Sequence, residues 1–412
     1  MKNVLVCGSA RSGQAAAKLI RRLNAEATLR DITENDVIEG FDLVVISPGI
    51  PFDLPPLEKA REAGIPVWGE IELAYRHCPC PIIAITGTNG KTTVTTLVGE
   101  IMQRHNGKTM VVGNIGDPFT EHVLSLGPDN WVVAEVSSFQ LETTCEFAPR
   151  ISAVLNMTPD HLDRHKTMDI YQYTKEKIFA NQKPDDFTIL GYDNEITRGM
   201  RPPCNTIFFS AKERLENGVY LDNGTIRFRD IEIPIDGARM LPENALAAAA
   251  LTLCAGVPAE TISEVIMDFK GVAHRIEYVT AVNDVEFYND SKATNTDSAV
   301  KGIEAMNRPI ILIGGGYDKG SKFDDWVRHF EGKVKHLVVI GAVADQIIDT
   351  CRDFGFSRHE KAPTLEKAVQ FAYAKAQPGD CVLLSPACAS WDMFGNFEER
   401  GDLFKRLVRE LE

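Results

Sequence analysis

Residues Ile82 to Thr93, Ile-Ile-Ala-Ile-Thr-Gly-Thr-Asn-Gly-Lys-Thr-Thr, read as an apolar strand, a glycine-rich loop and the start of a helix. That order suits a phosphate cradle. Gly87 and Gly90 let the backbone N–H groups of the Thr88-Asn89 loop surround phosphate oxygens, and the helix N-terminus adds a favourable dipole. Lys91 neutralises charge, and Thr92, followed by Thr93, can hold Mg²⁺. The loop between Gly87 and Gly90 is too short for a strict G-x-x-x-x-G-K pattern. A second apolar run, Val132-Val133-Ala134-Glu135, ends on a carboxylate where a ligand for a hard cation often faces such a loop. Taken alone, a glutamate at a strand end is a solvated turn residue about as often as a ligand.

Next comes Asn156-Met157-Thr158-Pro159-Asp160-His161-Leu162-Asp163-Arg164-His165, with Lys175 about a helix's length beyond. Asp160, His161, Asp163 and His165 superficially resemble a zinc cluster, but Pro159 makes this a loop or helix start, where histidines four apart do not converge. Near the N-terminus, Gly8-Ser9-Ala10-Arg11-Ser12-Gly13 lies between a strand and a helix and echoes G-x-G-x-x-G, with Ala10 at the middle glycine. Asp31 follows at about the spacing of a ribose-binding acid. A nucleotide diphosphate suits this loop, whereas a dehydrogenase is disfavoured by Ala10 and by the second phosphate loop. Towards the C-terminus, His274-Arg275, Asn289-Asp290-Ser291-Lys292-Ala293-Thr294-Asn295, Gly314-Gly315-Gly316-Tyr317-Asp318-Lys319-Gly320 and Ser385-Pro386-Ala387-Cys388-Ala389-Ser390-Trp391-Asp392 group lysines and hydroxyls at strand ends, an arrangement fit for an anionic substrate.

The elements that must position these groups are strand-like runs alternating with helix-period segments: Val4 to Val6, Leu43 to Ile46, Ile82 to Ile85, Trp131 to Glu135, Ala153 to Leu155, Ile310 to Ile313, Leu337 to Ile340 and Cys381 to Leu384. This is the rhythm of βαβ units around mostly parallel sheets, with ligand loops at the carboxyl ends of the strands. Cys204 to Pro234, with turns at Asn217-Gly218 and Asn223-Gly224, reads as a small antiparallel patch. Boundaries fall near Cys78-Pro79-Cys80-Pro81 and at Phe269-Lys270-Gly271, so three domains are expected over 1–77, 78–271 and 272–412.

With 412 residues, 44% hydrophobic and 25% charged, the chain is long enough for several cores. Its formal charge of −14 argues against general binding of a nucleic-acid backbone. No basic leader and no membrane-length apolar run occur, which predicts a cytoplasmic protein with no membrane partner. Nine scattered cysteines, with Cys78 and Cys80 lacking a second pair at zinc-ligand spacing, read as free thiols in a reducing compartment.

In this order the motifs resemble the Mur ligase family over nearly the whole chain. Gly87-Thr88-Asn89-Gly90-Lys91-Thr92 is shared across that superfamily. Ser47-Pro48-Gly49-Ile50, Gly113-Asn114-Ile115-Gly116, Glu135-Val136-Ser137-Ser138-Phe139-Gln140-Leu141, Asp290-Ser291-Lys292-Ala293-Thr294-Asn295 and Ser385-Pro386-Ala387-Cys388-Ala389-Ser390 look like its D-glutamate-adding branch. The resemblance implies an α/β fold with a Rossmann-like N-terminal domain, a central P-loop ATPase-like domain and a Rossmann-like C-terminal domain. It implies ATP-dependent ligation of D-glutamate to UDP-N-acetylmuramoyl-L-alanine through an acyl phosphate, with two Mg²⁺ sites and a monomeric chain. By the same resemblance Gly87, Thr88, Asn89, Gly90, Lys91, Thr92, Thr93, Asn244 and Arg275 bind ATP. Thr92, Glu135, His161 and a carbamylated Lys175 hold metal, and Lys91, Glu135, His161 and Lys175 are the catalytic set. Gly8, Ser12, Gly49, Asn114, Ser137 and His161 face the UDP-sugar, and Lys292, Thr294, Lys319, Ser390 and Phe397 form the D-glutamate pocket.

Two departures from the family pattern stand out. Leu241-Pro242-Glu243-Asn244-Ala245 replaces the usual Gly-x-His-Asn, so that only Asn244 is matched, and just eleven residues separate Asp31 from the Leu43 strand, where the family has room for a further helix and strand. The alternatives are a superfamily ligase with a different acceptor amino acid and a catalytically silent UDP-sugar-binding protein.

Overall fold

The computed structural model describes residues 2–238, 240–317, 320 and 322–411. It divides into two compact units, Met1–Phe269 and Lys270–Glu412.

The first unit contains two sheets. One is parallel throughout, with strands in the order Glu26–Arg30, Asn3–Cys7, Leu43–Ile46, Val67–Gly69. The other has nine strands, and from its centre to one edge it runs Phe187–Gly191, Ile151–Val154, Ile82–Thr86, Trp131–Glu135, Thr109–Gly113, all parallel. Continuous apolar strands such as Ile82–Thr86 are buried along their full length because helices cover both faces. One core cluster runs through both sheets, from Val4 and Leu43 to Ile82, Val132 and Phe147.

The antiparallel patch is smaller than the turn signals predict. Asn205–Ser210 pairs in parallel with Phe187–Gly191 and with Val219–Asp222, so it extends the main sheet; its inner end at Phe209 and Ser210 is buried there. Only Val219–Asp222, Thr225–Phe228 and Ile231–Pro234 run antiparallel, the first two joined at Asn223-Gly224, where both residues have positive φ, as a type I′ hairpin requires. Asn217-Gly218 instead leads between two parallel strands.

The second unit is a six-stranded sheet ordered Glu277–Val282, Val285–Asn289, Cys381–Leu384, Ile310–Gly315, Val334–Ile340, His359–Lys361, antiparallel only in its first pair. Apolar clusters cover both faces. Among the described residues no helix is long and apolar enough to cross a membrane.

Candidate active site

The loop after Ile82–Thr86 turns through Gly87 and Gly90 into the helix Lys91–Asn106. Gly90 has φ +83°, and a Cβ there would lie 2.6 Å from Asn244 Oδ1. Asn244, buried in the first turn of the helix Pro242–Cys254, therefore sits directly against the phosphate loop, although the residues before it depart from the family pattern. The loop is tied to the next strand's exit: Asn156 accepts from the Asn89 N–H (2.8 Å) and donates to its carbonyl (3.1 Å). The Thr88 hydroxyl donates to the Thr158 carbonyl (3.1 Å) and accepts from the Thr158 N–H (3.0 Å). Asn156 and Thr158 do this clamping without having been singled out as site residues. Their strand-end position after Ile151–Val154 is the signal that could have found them.

Two lysines converge on one carbonyl. Lys91 Nζ donates to the carbonyls of Gly87 (2.9 Å) and Thr88 (2.7 Å), and Lys175 Nζ donates to Gly87 O (2.8 Å) and the Thr86 hydroxyl (3.3 Å). Lys175 is 1% exposed, held on the inner face of the helix Met168–Glu176 with its ammonium over the Tyr171 ring. Burial, reinforced by the charge of Lys91, holds its amine well below the usual lysine range.

Glu135 ends the neighbouring strand and is buried. Its Oε1 accepts from Asn114 Nδ2 (2.7 Å), and its Oε2 is buried with no hydrogen-bond partner. An orphaned carboxylate oxygen at the end of the strand paired with the one that leads into the phosphate loop fits a hard cation such as Mg²⁺. Among the described residues no group of three or more His, Cys, Asp and Glu side chains converges on one point. His161 is in the left-handed region (φ +54°), its ring edge against Phe139 and its Nε2 3.6 Å from Asp160 Oδ2. His165 packs against Phe139 and Tyr171, its Nε2 is 2.9 Å from the Ser138 hydroxyl, and burial drives its pKa down to about 4. Ser137 caps the short helix Ser138–Leu141 through a reciprocal bond pattern with Gln140.

In the first sheet Gly8 carries φ +101°, and a Cβ on it would meet Ser47 Oγ at 2.6 Å. Ser12 Oγ donates to the same hydroxyl (3.2 Å), so Gly8 and Ser12 are brought together, whereas nothing lies within 4 Å of a Cβ built on Gly49. Asp31 accepts from the Ser9 N–H (2.8 Å) and hydroxyl (2.9 Å), closing the glycine loop.

In the second unit the predicted residues gather at the carboxyl ends of Val285–Asn289 and Cys381–Leu384. Arg275 Nε is buried without a hydrogen-bond partner, Lys292 Nζ lies 5.3 Å over the Phe397 ring, and Thr294 and Ser390 flank the same loops. Lys319 lies outside the described residues. Arg400, which the sequence reading passed over, is 1% exposed and organises this edge: it donates to the Ser291 hydroxyl (2.9 Å) and to the carbonyls of Ser291 (2.8 Å) and Cys388 (3.1 Å). An arginine in register with Phe397, Gly401, Phe404 and Val408 on a helix's apolar stripe was the available signal.

A parallel α/β protein carrying a P-loop at a strand's carboxyl edge belongs to the class that handles nucleotide phosphates. Residues 85–252 match the Mur ligase middle domain and residues 274–388 the Mur ligase, glutamate ligase domain. The UDP-N-acetylmuramoylalanine--D-glutamate ligase of Thermoanaerobacter sp. (strain X514) is 47% identical, covering 100% of this chain and 98% of that one, and that of Lachnospira eligens is 46% identical over 100% and 99%. The chain belongs to the Mur ligase family, ATP-dependent enzymes that form amide bonds. The first alignment spans 448 positions against 412 residues, so that relative carries segments this chain lacks. Among solved structures, a UDP-N-acetylmuramate-alanine ligase of Thermotoga maritima has TM-score 0.64 at 17% identity over 100% of both chains, and MurF of Acinetobacter baumannii has 0.62 at 18% over 90% of this chain and 85% of its own; both share the fold.

Proposed function

We propose that this chain joins D-glutamate to UDP-N-acetylmuramoyl-L-alanine in cytoplasmic peptidoglycan precursor synthesis, driven by ATP and acting as a monomer. The observation that carries this reading is full-length identity of 44–47% to relatives bearing that name. The geometry supports it. A carboxylate is a poor electrophile until one oxygen becomes a leaving group, and transfer between polyanions needs clustered positive charge. The P-loop residues Gly87 to Thr93 and Asn244 would hold ATP, Lys91 turning from its loop carbonyls to the phosphates. Glu135, through its unpartnered oxygen, and Thr92 would hold one Mg²⁺, and His161 and Lys175 the second; bound Mg²⁺ supplies neutralisation of phosphate charge. Lys175, buried and favouring its neutral amine, is suited to add CO₂: the nitrogen lone pair attacks carbon, a proton leaves to solvent, and a carbamate remains. Gly8, Ser12 and Gly49 of the 1–77 domain would face the UDP, with Asn114, Ser137 and His161 facing the muramoyl-alanine. Lys292, Thr294, Lys319, Ser390 and Phe397 would receive D-glutamate.

The test is phosphate release from ATP with Mg²⁺ and UDP-N-acetylmuramoyl-L-alanine, offering D-glutamate, L-glutamate, L-lysine, meso-diaminopimelate or no acceptor. Release with D-glutamate alone is expected; release with another acceptor refutes the assignment. The absent segments favour a second reading, a silent UDP-sugar-binding protein. It requires thermal stabilisation by the UDP-sugar with no phosphate released in any arm.

A further inference from the structure

We propose that Cys78 and Cys80 form a dithiol–disulfide site, oxidised by low-molecular-weight disulfides, in the surface turn leading into the phosphate-loop strand. Their sulfurs lie 3.5 Å apart across the exposed Pro79, and Cys78 Sγ also donates to the Cys80 carbonyl (3.4 Å). Cys78 is half-buried, within reach of a small reagent, while Cys80 packs into the core behind it. The turn is held on both sides, by the Cys78 N–H on the Tyr75 carbonyl (3.0 Å) and the Val132 N–H on the Pro81 carbonyl (3.1 Å), so the thiols stay juxtaposed.

The remaining thiols set this pair apart. Burial pushes Cys7, Cys254, Cys351 and Cys381 up to about 12, and Cys145, though exposed, is also raised, chiefly by desolvation. Cys78 is lowered, because the Cys80 thiol hydrogen-bonds to its sulfur. Cys80 is raised first by that same bond and next by burial. Once Cys78 is derivatised, the largest obstacle to ionising Cys80 is removed.

The chemistry balances as follows. Cys78 thiolate attacks one sulfur of the small disulfide, forming a mixed disulfide and releasing one thiolate. Cys80 loses its proton and attacks Cys78 Sγ, expelling the second thiolate. Two protein thiols are oxidised to one disulfide, and one small disulfide is reduced to two thiols that take up the two protons. A ring closed over a single intervening residue is easily reduced, which suits a reversible site better than a structural one.

The test treats the folded full-length chain, in a Cys145→Ser background, with oxidised glutathione, followed by thiol counting and peptide mapping. The expected product is a peptide containing residues 78–80 lighter by two hydrogens and free of glutathione, restored by dithiothreitol. C80S is expected to stop at a stable glutathione adduct on Cys78, and C78S to leave residue 80 unmodified. Mapping of the unsubstituted chain needs no cysteine variant to fold and serves as the independent check. A stable adduct on Cys78 with Cys80 intact, a disulfide from Cys78 to any other cysteine, or no reaction at either residue overturns the proposal.

Discussion

Glu72, fully buried in the helix Glu70–Tyr75, offers a sharp test of what attaches the first sheet to the rest of its unit. Its Oε2 accepts from the backbone N–H groups of Cys145 (2.9 Å), Glu146 (3.1 Å) and Phe147 (3.1 Å), and its Oε1 from Arg76 Nε (2.8 Å). In Glu72→Gln one oxygen becomes an NH₂ donor that must face either the backbone N–H groups or the guanidinium. At roughly 1.5–3 kcal/mol per hydrogen bond to a charged group, losing the charge and one acceptor is expected to cost about 3–5 kcal/mol. The solvent-side partner provides the control: Glu146 pairs with the same guanidinium (2.9 Å) but is 68% exposed, so Glu146→Gln should cost no more than about 1 kcal/mol. Urea unfolding followed by hydrogen exchange of peptides from Met1–Phe269 isolates this unit from the second one. A Glu72→Gln cost below about 1 kcal/mol would show that the buried carboxylate is not what fastens this seam.

Three further outcomes are expected. Lys91→Met should lower phosphate release by at least about 10²-fold, since one charge-stabilising donor is lost, with an unchanged unfolding midpoint; near-normal turnover would refute its role. Gly90→Ala imposes a side chain at φ +83° and 2.6 Å from Asn244 Oδ1; destabilisation of at least about 1–2 kcal/mol and weakened ATP binding should appear in calorimetry. Burial pushes Asp290 from 3.8 up to about 6, so between those values the folded chain holds a proton that the unfolded chain has lost. Stability should therefore fall as pH rises through that window, by about 3 kcal/mol; Asp290→Asn should flatten this slope in pH-resolved urea titrations, and an unchanged slope counts against the assignment.

The phosphate loop is legible from residues alone because its geometry is local: a backbone passing through positive φ beside a close neighbour demands glycine at Gly90, and the strand and helix on either side advertise themselves by composition. The parallel sheets follow equally from unbroken apolar runs. What escapes is the fate of charged residues. Glu72 and Arg400 look like solvated side chains because most of their partners are carbonyls and N–H groups distant in the chain, and no sequence pattern records a main-chain partner; Lys175 stands out only through the family resemblance. The antiparallel patch was overextended for a related reason: alternation marks a strand but not the direction of the strand it joins, and Asn205–Ser210 found a parallel neighbour. Cys78 and Cys80 were visible as a pair, whereas the turn that presses their sulfurs together was not.

The seam between the two sheets of the first unit also has an asymmetric tolerance to evolutionary drift. Glu72 reaches the N–H groups of residues 145–147, and Glu70 reaches the Thr120 N–H (2.5 Å) as well as its hydroxyl (2.7 Å). A main-chain N–H is supplied by every residue except proline. The receiving side can therefore change its side chains widely while still presenting the same donors, and the burden of preserving these main-chain bonds falls on the two glutamates.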